Sequence, residues 1–333
     1  MVTEGESSAG GQPHDALFRL VFGDPDNAGS ELRSVLPPDL IAHIDLDGLV
    51  LQEGTFIDDA LRHSQTDVLF ATTVHGRDAY LYVLIEHQST PDRLMALRML
   101  GYQLRIWERH LAQPEQRSRT RPLPLIIPVV IYQGRRQWIA PTDLADLIDV
   151  DQDLVGAASD LVPRFTYLLD DLTVVDDEAL RARPLTATAR ITFVSFVHAP
   201  DDSDVTRWLS DWADDLAAID YERLVAIFNY LVRVSVTPVE NVVRFAGTVG
   251  AEAREAAMTT ADQLIAQGRA EGEARGEARG QARLLMRMLT SKFGELDPDV
   301  RARVAHATAE EIGVWSDRLV QGAVSIEEIV GPQ

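Results

Sequence analysis

The chain has 333 residues, 46% hydrophobic and 25% charged, the composition of an ordinary globular protein with room for about two domains. It has no cysteine, which excludes disulfides and thiolate metal sites, and no apolar run long enough to span a bilayer. A net charge of −21 weighs against nucleic-acid binding by the surface as a whole.

The first eleven residues, within "MVTEGESSAGGQPHD", lack the basic and apolar regions of a signal peptide and read as a disordered leader in a cytoplasmic protein. "HDALFRLVFGDPDNAGSELRSVL" has apolar residues at helical spacing, broken at Gly23-Asp24-Pro25, and predicts two short helices. "LDGLVLQEG" is a strand candidate. "TDVLFATTV" and "AYLYVLIEHQ" predict two strands joined at "HGRD", and "PDRLMALRMLGYQLRIWERHL" a helix. "LPLIIPVVIYQG" predicts a further strand, its Pro128 suited to an edge or a bulge. This order gives an α/β class: a mixed central sheet flanked by helices over residues 12–177, followed by a mainly helical C-terminal region. That region divides into helices over 178–266, a connector over 267–283 and a small helical unit over 284–333. Glycines 268, 272, 276 and 280 recur every four residues in the connector. They suit either close packing against another subunit or a polar, weakly helical link, and the second reading is favoured. In the last unit Gly294 is placed as a helix C-cap and Asp297-Pro298 as the next helix start.

Charge is unevenly distributed. Asp143 to Glu178 holds eleven acids against Arg164, whereas Arg93 to Arg136 holds nine arginines against Glu108 and Glu115. Lys292 is the single lysine of the chain.

The run "YLYVLIEHQS" begins as a buried strand and ends in Glu86-His87-Gln88. A type II′ hairpin with Gly76 first in its loop places His75 opposite Asp78 and, counted back, Asp67 opposite Glu86. Gln88 shares their face. Two opposed carboxylates destabilise a sheet unless something neutralises them, and oxygen-only ligands suit Mg²⁺ or Mn²⁺. On these residues alone, strand capping by Asp67 and pairing of Glu86 with Arg98 stand level with a metal site. In the helix that follows, Arg98, Tyr102, Arg105 and Arg109 form one stripe and Leu97, Leu100, Leu104 and Leu111 another. The first stripe suits a phosphate backbone or, more commonly, a solvated helix face.

"PHDALFRLVF", "FIDDALRHSQTDVLF", "YVLIEHQSTPDRLMALRMLGY" and "LPLIIPVVIYQG" together resemble the Rpn family of recombination-promoting nucleases, also described as transposases, within the PD-(D/E)xK nuclease superfamily. The resemblance covers roughly 12–177. It implies a restriction-endonuclease-like core and Mg²⁺-dependent DNA cleavage, with Asp67, Glu86 and Gln88 catalytic. Asp67, Glu86 and the His87 backbone carbonyl would hold the metal, and Gln88 stands where the superfamily has lysine. An amide orients water but carries no charge. His14 and Asp15 match the family's opening motif and Asp171 an Asp-Leu motif, as accessory candidates; His14 and Asp15 suit a helix N-terminus equally well. Tyr132, Gly134 and Trp138 match too, as packing residues. Two functions follow: a metal-dependent DNA endonuclease in recombination, element mobility or defence, or a catalytically weak DNA- or protein-binding relative. A homo-oligomer through the C-terminal helical region fits either.

Overall fold

The structure, a computed structural model, describes residues 13–52, 67–86, 91–113, 122–149 and 161–331. It divides into two compact units, Met1–Thr260 and Ala261–Gln333.

The first unit opens with α1 (Pro13–Phe22) and α2 (Pro25–Val35). The break between them is capped by Asp24, whose side chain accepts from the Asp26 N–H, with Pro25 entering the first helical turn. A five-stranded mixed sheet follows: β1 (Val50–Leu51), β2 (Asp67–Val74), β3 (Arg77–Glu86), β4 (Leu125–Tyr132) and β5 (Leu168–Asp171), side by side in chain order. β1, β2 and β3 pair antiparallel, and β3, β4 and β5 pair parallel. The parallel step from β3 to β4 is made through α3 (Met95–Ala112). Pro128 lies in an interior strand, where an edge or a bulge is expected. β5 pairs β4 only from Val129 onward, so at Pro128 the ladder has a neighbour on one side alone.

Both sheet faces are covered. Val68, Phe70, Leu81, Val83, Ile127, Val129 and Ile131 join one core with α1, α2, α4 (Ala187–His198) and α5 (Tyr221–Val234). On the other face Leu69, Tyr82, Ile126, Val130 and Tyr132 pack against Met95, Met99 and Ile106 of α3. The alternation along each strand accounts for this two-sided burial, with continuous apolar runs where strands run parallel.

The helix Ala251–Phe293, of 43 residues, begins in the first unit and continues into the second, where it ends at Gly294, whose φ of 86° needs no Cβ. Asp297 caps the following helix ahead of Pro298, and Thr308 with Glu311 makes a reciprocal capping box on the next. Leu285, Leu289, Val304, Trp315 and Ile329 form this unit's own core. Among the described residues no helix is long and apolar enough to cross a membrane.

Candidate active site

β2 starts where β3, β4 and β5 finish, so one end of the sheet collects the first residue of one strand and the last residues of three. Glu86 pairs with Tyr132, and Tyr132 with Asp171. Asp67 pairs with Leu84, not with Glu86. The expected register is therefore corrected by two residues. The hairpin loop is His75-Gly76, with φ of 50° and 71°, and Val74 faces Arg77 across it. Positive φ at both loop positions is the type I′ geometry, which matches strand twist without needing glycine first. His75 is held in its left-handed conformation by its N–H donating to the His43 carbonyl at 3.2 Å and its ring lying 4.2 Å from that of His43. An even slip preserves faces, so position 86 keeps the parity of position 84, the partner of Asp67. Diagonal neighbours of this kind lie about 7–8 Å apart. His87 and Gln88 lie outside the described residues, as does the stretch "FIDDALRHSQ".

The Asp67 carboxylate is held on both oxygens. The Tyr82 hydroxyl donates to Oδ2 at 3.0 Å, and the Arg19 guanidinium of α1 stands 3.5 Å from Oδ1. Tyr82 is 2% exposed, and burial, then the Asp67 charge, push its phenol well above the ordinary value, so it stays a neutral donor. The Arg19 side chain is half exposed and exchangeable. Neither residue is marked by the sequence reading. The signal for Tyr82 is present in it: Tyr80, Tyr82 and Glu86 share one parity of the strand.

α3 buries a stripe other than the expected one, although Leu100 packs against the core and Arg105 and Arg109 face solvent as expected. Met95, Met99, Tyr102 and Ile106 are buried, at i, i+4, i+7 and i+11, whereas Leu97, Leu104 and Leu111 are about half exposed. The buried face meets Tyr80 and Tyr82 of β3. Tyr80 Oη lies 3.1 Å from His110 Nδ1, and the rings of Tyr82 and Tyr102 are 5.6 Å apart. Tyr102 is thus packed beneath α3 and cannot stack on a base, which corrects its place in the expected DNA-binding stripe. Arg98 pairs with Asp92 at 2.8 Å and donates to Tyr102 Oη at 3.3 Å. Arg105 pairs with Glu108, and both Arg105 and Arg109 lie on the solvent side.

His14 is buried in α1. Its Nδ1 lies 2.7 Å from Tyr230 Oη and 3.5 Å from Gln133 Nε2. Asp15 sits in the first turn of the same helix, where its charge favours the dipole. Asp171 Oδ2 accepts from the Trp138 N–H, and Oδ1 accepts from the Thr173 N–H and hydroxyl. These bonds make Asp171 the cap of a short 3₁₀ turn. Tyr132 and Trp138 pack edge to face at 4.8 Å.

Carboxylate oxygens are the donors a hard divalent cation takes. Asp67 offers one with Oδ2 already oriented and Oδ1 toward a displaceable cation. Among the described residues no group of three or more His, Asp or Glu side chains forms a metal cluster.

The family model described as "Putative transposase, YhgA-like" matches residues 12–223. Recombination-promoting nuclease RpnD of Escherichia coli O157:H7 is 37% identical over 179 residues, 51% of this chain and 63% of that protein. RpnC of Escherichia coli K12 is 39% identical over 122 residues, 37% of this chain and 39% of that protein. The chain thus spans under two thirds of the length of both these curated nucleases. The inactive recombination-promoting nuclease-like protein RpnE of the same strain is 28% identical over 305 residues, 88% of this chain and 93% of that protein. No solved structure matches. With the family model spanning well over half the chain, the protein belongs to the YhgA-like transposase family, that of the Rpn recombination-promoting nucleases.

Proposed function

We propose that this chain is a metal-dependent DNA endonuclease that hydrolyses phosphodiester bonds in recombination, element mobility or defence. The observation that carries the reading is the sheet end where Asp67, oriented by a buried tyrosine, lies diagonally across from position 86. Asp67 and Glu86, with the His87 carbonyl, would hold Mg²⁺ or Mn²⁺. Such a cation polarises a phosphoryl oxygen and lowers the pKa of a bound water. Tyr82 fixes the Asp67 rotamer and keeps Oδ1 outward. Arg19 neutralises Asp67 and is free to exchange its weak contact for a phosphate. Gln88 would orient a water without stabilising hydroxide by charge, which argues for slow cleavage. Arg105 and Arg109 supply phosphate contacts in an otherwise acidic protein.

The test is cleavage of supercoiled DNA with and without Mg²⁺, parent beside Asp67→Ala. Nicking that needs both the metal and Asp67 supports the reading. Cleavage that survives Asp67→Ala places the activity elsewhere. A second reading, a catalytically weak DNA- or protein-binding relative, is favoured by the alignment with RpnE, which runs along most of this chain and whose name calls it inactive. Binding of DNA without any metal-dependent nicking would select it.

A further inference from the structure

The helix Ala251–Phe293 changes character toward its C-terminal end. Its acids stop at Glu277, and from Ala278 to Gly294 the chain carries Arg279, Arg283, Arg287 and Lys292 and no acid. Arg279, Arg283 and Arg287 recur every four residues, so they share one stripe of the helix. They line a groove of about 440 Å³, to which the helix Pro298–His306 contributes Ala305. Ala282 and Met286 supply further apolar surface, and none of the groove's lining residues is acidic. Every lining residue lies inside the second unit, beyond the residues the family model matches.

Charge, spacing and lining all suit a polyanion. Like charges at i, i+4 destabilise a helix by about 0.2–0.5 kcal/mol each. The stripe carries two such contacts with nothing to offset them: the three guanidiniums are exposed and, among the described residues, make no ion pair or hydrogen bond. Arg275, one step back on the helix, is the contrast, since it pairs with Glu271 at 2.8 Å. The three charges span about 12 Å of helix axis at about 1.5 Å per residue, too far for one small anion to meet them all. A nucleic-acid strand rises about 3.4 Å per phosphate, so the stripe matches the phosphates of about four nucleotides. Apolar lining is thin. Leu285 and Leu289 are buried in the unit's own core, and the groove keeps two alanines and a methionine. A peptide helix in a groove is held by large apolar anchors, and these small residues offer them little. Guanidiniums carry the recognition here, and their forked N–H donors match phosphate oxygens two at a time.

We propose that this groove is a DNA-contacting surface outside the nuclease core, at which Arg279, Arg283 and Arg287 each meet a backbone phosphate whatever the base sequence. Salt screens charges beyond about 8 Å at physiological ionic strength, so the net charge of −21 does not forbid a local contact of this kind. Each phosphate met releases condensed counterions from the DNA, which supplies affinity without sequence preference. The choice of DNA as the polyanion rests on the nuclease reading, though binding here requires neither Asp67 nor a metal.

The test is fluorescence anisotropy of the full chain on a labelled non-specific duplex over a series of salt concentrations, with EDTA present so that no cleavage occurs. The variant is Arg279→Gln/Arg283→Gln/Arg287→Gln, because glutamine is close to arginine in helix propensity; circular dichroism checks the fold. The slope of log K against log salt should flatten by about 2.7, at about 0.9 per phosphate contact, and affinity in about 0.1 M salt should fall at least about tenfold. A control variant, Arg207→Gln/Arg244→Gln/Arg254→Gln, removes the same charge from exposed positions of the first unit and should keep the parent's slope. Equal slopes for parent and groove variant overturn the proposal. Equal flattening in both variants also overturns it, since net charge alone then sets the affinity. Saturable binding of labelled polyglutamate that the groove variant loses, with duplex affinity unchanged, assigns the groove to an acidic protein instead. Absence of Asp67-dependent nicking in the parent would sink the nuclease reading separately, since duplex binding is measured without it.

Discussion

Tyr82 and Asp67 show how one hydrogen bond ties packing to chemistry. A hydroxyl buried against Tyr102 donates to a carboxylate at the end of the sheet, and hydrogen bonds to charged groups contribute about 1.5–3 kcal/mol. Tyr82→Phe keeps the ring and removes that bond. A loss of stability of this order in urea melts is expected, and in the nicking assay a drop in kcat with KM little changed; an unchanged kcat would show that Asp67 needs no orientation. Glu31 makes a different prediction. It is 1% exposed, and burial, then the neighbouring Asp170, raise its pKa well above 4.5 while Arg183 opposes them. Arg183 makes two bonds of 2.7 Å to Asp170 and stands at 3.7 Å from Glu31 Oε2. The folded state therefore holds a proton on Glu31 that the unfolded chain releases as pH rises above about 4.5. More protons bound in the folded state means stability falls with rising pH through this window and levels above the folded pKa. Glu31→Gln removes the dependence, so its stability relative to the parent should climb as pH rises above about 4.5, with a limiting slope of about 1.4 kcal/mol per pH unit. A flat difference across that range would mean Glu31 is ionised in the folded protein. The role of Glu31 was not legible beforehand, because it depends on Asp170 and Arg183, far off in the chain.

At the scale of elements, α3 is the instructive case. Its sequence carries two apolar stripes, Leu97-Leu104-Leu111 and Met95-Met99-Tyr102-Ile106, and periodicity alone does not say which faces the sheet. The leucines are the more hydrophobic in look, yet the core takes the methionines, tyrosine and isoleucine. β3 presents two tyrosines, and flexible methionines with an aromatic fill the space around such rings. Met99→Ala should therefore cost about 2–5 kcal/mol, as for a buried large-to-small change, and Leu104→Ala under about 1 kcal/mol. The opposite ranking in chemical denaturation would restore the expected orientation. The solvent side retains Arg105 and Arg109. Replacing both should flatten the salt dependence of affinity for non-specific duplex by about one phosphate contact per arginine. Equal slopes would reduce this face to a solvated one. The hairpin gives the complementary lesson. Alternation made the shared face of Asp67 and position 86 readable, but the register hung on a histidine adopting positive φ, a choice set by its contact with distant His43.

At the scale of the molecule, the sheet and its helices were legible because strands and helices differ in period. The short β5 was not, since four residues, two of them acidic, give no clear alternation. The glycine-arginine segment was readable as a polar helix and fares as one. Within the helix Ala251–Phe293 nearly every residue from Ala266 to Gln281 is exposed, and an added Cβ at Gly268, Gly272, Gly276 or Gly280 would meet nothing within 4 Å. Each glycine costs a helix about 1 kcal/mol relative to alanine. Side-chain pairs such as Arg275 with Glu271 return only about 0.2–0.5 kcal/mol each. Helix without a packed face is marginal in water, so this stretch should open locally while the cores on either side stay closed. Brief trypsin treatment of the folded protein should therefore cut first at Arg269, Arg275 or Arg279, leaving two resistant fragments readable by mass spectrometry. Substituting all four glycines by alanine adds about 4 kcal/mol of helix propensity, and should slow those cuts markedly without moving the later ones. First cuts elsewhere, or no protection from the alanines, would mean that the segment is held by contacts rather than by its own weak helicity.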